Sequence, residues 1–465
     1  MATQDNNAWN RFGSWVKNSL LIKLGSIGFL TLLLIIPNSM INDLVNERQG
    51  RHVEASWEVS SSWGSAQTIT GPILSVPVSE WVQLENGKKQ ETVRTAFFLP
   101  TLLQSDGEII PSIRKRGIYK IVVYQSELVI TGKFSKPDLE ALHLNPENVH
   151  WDQAKISLGI SGLSGIKNRI GIEWSGQNIQ LEPGTADPSV LASGVSNGVP
   201  LNPDQDEYNF SINLKVNGTG NLKFEPLGKE TRLNLESTWP SPSFTGSFLP
   251  DSREVSKDGF KASWTVLDFN RNYPQQWLDH TFTFNGQNTG YEELNSYGRN
   301  SSVSASEGAA FGVRLVQPVD EYAKTERSTK YAIMVIGLTF LIYFFFETLR
   351  KFHIHPFQYL LVGLALSVFY LLLLSISEYL GFNKAYFLAT GATISLIGIY
   401  SYGIIKSWRL TLQLSVLLGL IYSFIFIVLQ LEDFALLAGS LGIFGALAIV
   451  MFYSRNVDWY NLNKE

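Results

Sequence analysis

Six long apolar runs, one near the N-terminus and five crowded toward the C-terminus, constrain this chain more than any other feature. The first covers residues 24–41 and the others fall within residues 331–453. At roughly 17 to 22 residues each, they are long enough to cross a bilayer core as helices. No such run occurs between residues 42 and 330. The pattern predicts an α-helical membrane protein with six transmembrane helices, arranged 1+5, holding a large mainly-β domain outside the membrane. The expected divisions are a tail at 1–23, an anchor helix at 24–41, a β-rich domain at 42–330, a five-helix bundle at 331–453 and a tail at 454–465.

A mean hydropathy of +0.04 therefore averages two solvents rather than describing one. The net charge of -4 offers no basic stripe to neutralise phosphates, which argues against a nucleic-acid partner. With no cysteine, the chain has no disulfide, thiolate metal site or cysteine nucleophile, and it suits an oxidising compartment.

Lys and Arg in the short loops set the expected orientation, because positive charge there resists translocation. Arg350 and Lys351 follow the second run, Lys406 and Arg409 the fourth, and Arg455 the sixth. These loops are predicted to be cytoplasmic. The third run ends at Glu378 with Lys384 beyond it, and the fifth meets the sixth through Gln430, Glu432 and Asp433, so these turns are expected to face outward. Both termini then lie in the cytoplasm, with Arg11 and Lys17 inside and the large domain in the periplasm. Lys324, Arg327 and Lys330 run against the rule, but they are interleaved with Asp320, Glu321 and Glu326. Trp15, Trp408 and Trp459 fall near the expected inner interface. A cleaved signal peptide is the alternative for the first run, but no small-x-small pattern follows it.

Within the large domain, alternating apolar and polar residues predict strands with one buried face. Tyr208, Phe210, Ile212, Leu214 and Val216 are the clearest case, with Asn217 and Gly218 read as a tight hairpin returning through Leu222 and Phe224. A second hairpin is expected at Asn86 and Gly87. Further strands are expected at 69–78, 96–99, 119–123, 128–134, 156–160, 233–235, 260–266 and 281–284, with one short helix at 136–142. Residues 183–206, rich in Gly, Pro, Ser and Asn, read as a loop or a boundary between lobes. The expected architecture is sandwich-like, in one lobe or two.

Several motifs carry a family resemblance along nearly the whole chain. They include Trp63-Gly64 with Gln67 and Gly71-Pro72, Arg114-Lys115-Arg116-Gly117-Ile118-Tyr119, and Trp239-Pro240 with Pro242, Phe244, Gly246 and Leu249-Pro250. Phe311-Gly312-Val313, Gln317-Pro318-Val319-Asp320, Glu326-Arg327 and His355-Pro356-Phe357-Gln358-Tyr359 follow. Ser377-Glu378, Leu429 to Phe434 and Asp458-Trp459-Tyr460 complete the set. With these motifs the chain resembles the CreD family. Gly162 departs from the pattern, standing where an acidic residue is expected before Gly165-Ile166. The resemblance implies a bacterial inner-membrane protein tied to envelope integrity and to β-lactam or colicin response. It supplies no catalytic residue.

The residues themselves show no nucleophile elbow, zincin helix or Walker loop. Ser112 with Lys115 and Ser164 with Lys167 have the S-x-x-K spacing of penicillin-binding enzymes but lack its partner motifs. His353 and His355 offer an H-x-H pair, read as solvated loop residues rather than metal ligands. No cofactor or metal is expected. Glu378, Glu432 and Asp433 are the candidate functional acids, at the outer membrane face, with Lys384 available to pair. Trp57, Trp63 and Trp239 are the candidate surface aromatics. Small residues from Ala435 to Ala446 read as helix packing, with a homodimer face as the alternative. Residues 320–330 read as a polar helical stalk. The expected role is non-enzymatic, through contact with the bilayer and another envelope protein or cell-wall component. A small transporter or channel is the main alternative and an envelope hydrolase the third.

Overall fold

A backbone in hydrocarbon must satisfy its own N–H and C=O groups, and the apolar runs do so as helices. The computed structural model describes residues 20–83, 89–284, 309–316, 321–350, 353–431 and 434–455. It divides into two compact units, Met1–Val53 with Val319–Glu465, and Glu54–Pro318. The helices are α1 (Leu20–Leu33), α2 (Ile35–Trp63), α3 (Glu321–Lys330), α4 (Ala332–Arg350), α5 (Pro356–Leu380), α6 (Phe382–Ile405), α7 (Trp408–Gln430) and α8 (Ala435–Ser454). Among the described residues, five helical stretches are long and apolar enough to cross a membrane: Ile22–Trp63, α4, α5, α6 and α7. The described apolar stretch of α8, Leu436–Phe452, is shorter.

In the helical unit, α5 buries a stripe of Tyr359, Val362, Leu366, Phe369, Tyr370 and Leu373, spaced by three and four residues as one helix face requires. The polar segment before α4 is no free stalk. Thr325, Ser328 and Thr329 of α3 are buried, and the Thr329 hydroxyl donates to Asn42 Oδ1 at 3.2 Å. Among the small residues of α8, Gly442 makes a close contact: an added Cβ would come within 2.0 Å of the Phe424 ring of α7. Gly439 and Gly445 have nothing within 4 Å.

The other unit is built from β1 (Gln67–Gln83), β2 (Lys89–Phe98), β3 (Leu102–Arg116), β4 (Tyr119–Ser135), β5 (Lys155–Ile160), β6 (Gly171–Trp174), β7 (Gln177–Gln180), β8 (Glu182–Pro183), β9 (Gly194–Gly198), β10 (Glu207–Thr219), β11 (Asn221–Phe224), β12 (Glu230–Ser237), β13 (Pro242–Gly246), β14 (Ser252–Ser256), β15 (Gly259–Leu267), β16 (Gln276–Leu278) and β17 (Phe311–Leu315). One sheet runs β13-β17-β11-β1-β5-β9-β8, with β2 pairing β1 and β16 pairing β2. The other runs β14-β15-β12-β3-β4-β10-β6-β7. Most pairs are antiparallel, but β1 with β11 and β3 with β12 are parallel. A single hydrophobic core draws on both sheets, from Ile69, Ile73 and Ile156 of the first to Ile130, Ile212 and Trp264 of the second.

Several expectations need correction. Residues 42–63 continue α2, with Glu47 and Arg51 paired at i,i+4 (2.7 Å) and Ala55, Val59 and Trp63 packed on Ile121 and Val123 of β4. Residues 136–142 form turns, with left-handed His143 closing them. Residues 281–284 make only an isolated bridge from Phe284 to Leu191. The Gly-rich stretch contains β9, paired to β5, and joins no second lobe. The strand Leu102–Arg116 was not read from the sequence, since charged residues mask its alternation. Asn86 and Gly87 lie outside the described residues.

The expected hairpin at Asn217-Gly218 is instead the interior of β10, paired across to Gln125 and Tyr124. Gly218 is needed there because a Cβ would lie 2.3 Å from the Tyr124 hydroxyl. The chain crosses to the other sheet at Gly220, and β11 pairs with β1 and β17. At this crossing Gln67 is fully buried. Its Nε2 donates to the carbonyls of Asn217 at 3.0 Å and Gly162 at 3.1 Å, and its Oε1 accepts from Gly162 N–H at 3.2 Å. Gly162 and Gly165 leave room for this: a Cβ on Gly162 would be 2.6 Å from Gln67 Nε2, and one on Gly165 would be 2.3 Å from the Asn217 oxygen. The absence of an acid at Gly162 follows from this packing.

Gln67→Ala is expected to cost about 3 kcal/mol, because it strands buried backbone groups. Denaturant unfolding of the detergent-solubilised full chain, followed by tryptophan fluorescence, checks this. Loss below about 1 kcal/mol contradicts the bonding described.

Candidate functional site

The helical unit carries two acidic positions at opposite ends of α5. Near its C-terminal end, Glu378 is 9% exposed, with Arg48 Nε at 3.8 Å and the Tyr322 hydroxyl donating at 3.5 Å. Lys384, the partner expected from sequence, is exposed and forms no ion pair with it among the described residues. Glu432 and Asp433 lie outside the described residues. Of the three acids named from sequence, only Glu378 therefore has a described setting.

Glu347, at the last turn of α4, was missed as a site. It is 4% exposed and accepts from Lys23 Nζ at 2.9 Å, from the Tyr359 hydroxyl at 2.9 Å and from Ile354 N–H at 3.3 Å. The available signal is an acid inside one apolar run, where an ionisable group is costly unless paired, and a base at the edge of another. Its carboxylate is fully engaged, which makes it a tie between α1, α4 and α5. His353 and His355 are both exposed, and His355 Nδ1 caps α5 by accepting from Phe357 N–H at 3.2 Å. Among the described residues no three His, Cys, Asp or Glu side chains are grouped to hold a metal. Between Glu347 and Glu378 the buried side chains include an aromatic cluster, with Phe369 edge-on to Tyr370 and Tyr386 and tilted against Tyr422, together with the hydroxyls of Thr339, Ser367, Thr393 and Ser401.

In the β unit the three candidate aromatics separate. Trp57 is 59% exposed. Trp239 packs against the core, and its indole N–H donates to the Val316 carbonyl at 2.9 Å. Trp63, closing α2, is half-buried and donates its indole N–H to the Tyr124 carbonyl at 3.2 Å. The Arg114 guanidinium lies on its ring face at 4.4 Å from the centroid, and Lys167 Nζ stands at 5.8 Å. Trp63 and Arg114 belong to a cleft of about 320 Å³ lined by Glu58, Val59, Ser62, Trp63, Arg114 and Arg116. Arg116 grips Glu58 with two nitrogens. Arg114 has no carboxylate partner among the described residues, so the cleft presents a cation on an aromatic shelf. The sequence displayed Arg114 and Trp63 as separate motifs, and only the β3–β4 pairing brings them together.

The S-x-x-K pairs do not assemble. Ser112 and Lys115 are three apart in β3, which puts them on opposite faces, and Ser164 sits in a short turn while Lys167 leans on Trp63.

A buried acid lies elsewhere in the same unit. Burial pushes the Glu225 carboxyl up to about 8, against a smaller opposing pull from Lys223. Nearby, Arg271 is buried; its side chain donates to the Leu227 and Tyr273 carbonyls, and burial lowers its pKa.

An apolar multi-helix unit joined in one chain to a large mixed-sheet unit defines a membrane protein with a substantial folded domain. The family described as Inner membrane protein CreD matches residues 19–460. The chain is 35% identical over 452 residues to Inner membrane protein CreD of Escherichia coli (strain K12), covering 96% of this chain and 95% of that protein. It belongs to the CreD family of inner membrane proteins.

Two outcomes follow from these buried charges. The folded state holds the Glu225 proton up to about pH 8, while the unfolded chain releases it near 4.5, so stability falls as pH rises between those values. From pH 5 to 8 the loss is about 3 kcal/mol, and Glu225→Gln removes it; unfolding at several pH values compares the two chains. Glu347→Ala leaves Lys23 unpaired and is expected to cost about 2 kcal/mol in the same assay, whereas an unchanged midpoint contradicts the tie.

Proposed function

We propose that this protein is a non-enzymatic inner-membrane component that supports cell-envelope integrity by binding another envelope component through its β unit. In this reading the chain crosses the membrane six times, with both termini in the cytoplasm. The two sheets, packed as a sandwich, face the periplasm. The observation that carries the binding reading is the cleft beside Trp63. Its Arg114 guanidinium is held on an aromatic face with no carboxylate to neutralise it among the described residues. Such a shelf suits an anionic or carbonyl-rich group on an envelope protein or cell-wall component. The alternation of basic loops at Arg350, Lys406 with Arg409, and Arg455 supports the orientation.

A transporter usually carries ionisable groups between the two ends of the bundle, and among the described residues the buried polar side chains there are hydroxyls, Thr339, Ser367, Thr393 and Ser401, beside the aromatic cluster. A hydrolase gains no support from the separated S-x-x-K residues.

The test is complementation of a deletion strain that has an envelope-sensitivity phenotype, at matched membrane levels. Arg114→Ala is expected to lose rescue and Glu378→Gln to retain it. Rescue by Arg114→Ala together with failure of Glu378→Gln would make the helical unit the working part and sink the binding reading.

A further inference from the structure

The β3–β4 hairpin ends in an arrangement that works against its own stability. Lys115 and Lys120 are directly opposed across the two strands, one register step from the turn. Like charges facing each other in this way destabilise a strand pair. Neither lysine has an ion-pair partner among the described residues, and both are exposed. The nearby acid Glu58 is already taken by Arg116. Neighbours along a strand alternate between faces, so Lys115 points away from the face that carries Arg114 and the Trp63 cleft.

The hairpin is held along α2 by Arg116 on Glu58, but its turn is open. β3 and β4 pair without interruption from Leu102 with Lys133 to Arg116 with Tyr119. Gly117 takes the left-handed turn position at φ 58, and a Cβ there would meet nothing within 4 Å. Beside the lysines, Ile113 is 53% exposed and Ile118 is partly exposed. Basic side chains interleaved with exposed aliphatic ones are what an element needs to sit among phosphates while burying apolar atoms below them.

We propose that this tip docks on the phosphate headgroups of anionic phospholipid. Each ammonium offers three donors and no acceptor, which matches a phosphate oxygen surface and relieves the opposed charges. The lipid source is favoured because the chain belongs to an inner-membrane family, and its first apolar run, ending at residue 41, lies only a short helical segment before the β unit begins at Glu54. Tethering of this kind keeps the local concentration of headgroups high.

The cysteine-free chain allows a single reporter site. The full-length protein bearing Ile118→Cys, labelled with an environment-sensitive fluorophore, is placed in nanodiscs of phosphatidylcholine alone or mixed equally with phosphatidylglycerol. A blue shift is expected in the anionic discs only, reversed by added salt. Adding Lys115→Gln with Lys120→Gln is expected to lower the ratio of lipid-exposed to aqueous probe about 30-fold, at the usual contribution per basic residue near an anionic surface. The melting temperature of that double variant is expected to hold or rise, and a fall would assign the lysines to the fold and overturn the proposal. Equal emission in both discs overturns it as well. So does a shift reproduced by inorganic phosphate in detergent, which would mark a soluble-anion site. No other envelope component is present in this assay, so its result and the fate of the Trp63 cleft reading are separable.

Discussion

The side-chain amide of Gln67 can be satisfied in the interior only if two distant backbone segments reach it together. One is the turn at Gly162, 95 residues beyond Gln67, and the other is β10 at Asn217, 150 residues beyond it. Burying that amide without its partners costs more than the bonds return when made. The crossing between the sheets therefore forms in this register or not at all. Its effects extend to the surface. The Tyr124 ring fills the space under Gly218, its hydroxyl donates to the Asn221 carbonyl at 2.7 Å, and its carbonyl receives the Trp63 indole. The aromatic wall under Arg114 is thus fixed from within.

The helical unit uses charge differently. Lys23 with Glu347 and Arg48 with Glu378 are cross-helix pairs. In a low-dielectric interior such pairs add little to net stability but penalise any arrangement that separates them. They act on which helices are neighbours more than on how tightly the neighbours hold. The Tyr and Phe rings along α5 supply the contact area.

The sequence displayed what depends on local pattern. The apolar runs stood out because each is a continuous stretch, and β10 stood out because Tyr208 to Val216 alternate without a break. Its end is disguised because Asn-Gly is ordinarily a turn signal, and here the glycine answers to a ring from another strand. Residues 42–63 lack the apolar periodicity that marks a helix, so their helical state was hidden behind polar composition. The cleft was legible only in parts. Trp63 was singled out as an aromatic, but nothing local indicates that Arg114 will lie on it, since that follows from the pairing of Arg114 with Ile121 and of β4 with the end of α2. Nothing local marks Glu347 as a tie, because its partner Lys23 is 324 residues away.

The two parallel pairings, β1 with β11 and β3 with β12, also set a timetable. Each joins strands separated by a long stretch of chain, and β17, which completes the first sheet beside β11, comes later still. At ordinary synthesis rates β1 and β3 each wait on the order of ten seconds for the parallel partner, although β1 has β2 beside it at once. Non-local pairings of this kind are slow to form even once the chain is complete. Through that interval the apolar faces of β1 and β3 stand uncovered, so the nascent chain depends on early antiparallel pairs such as β3 with β4 to keep it from aggregating before the crossing at Gln67 can close.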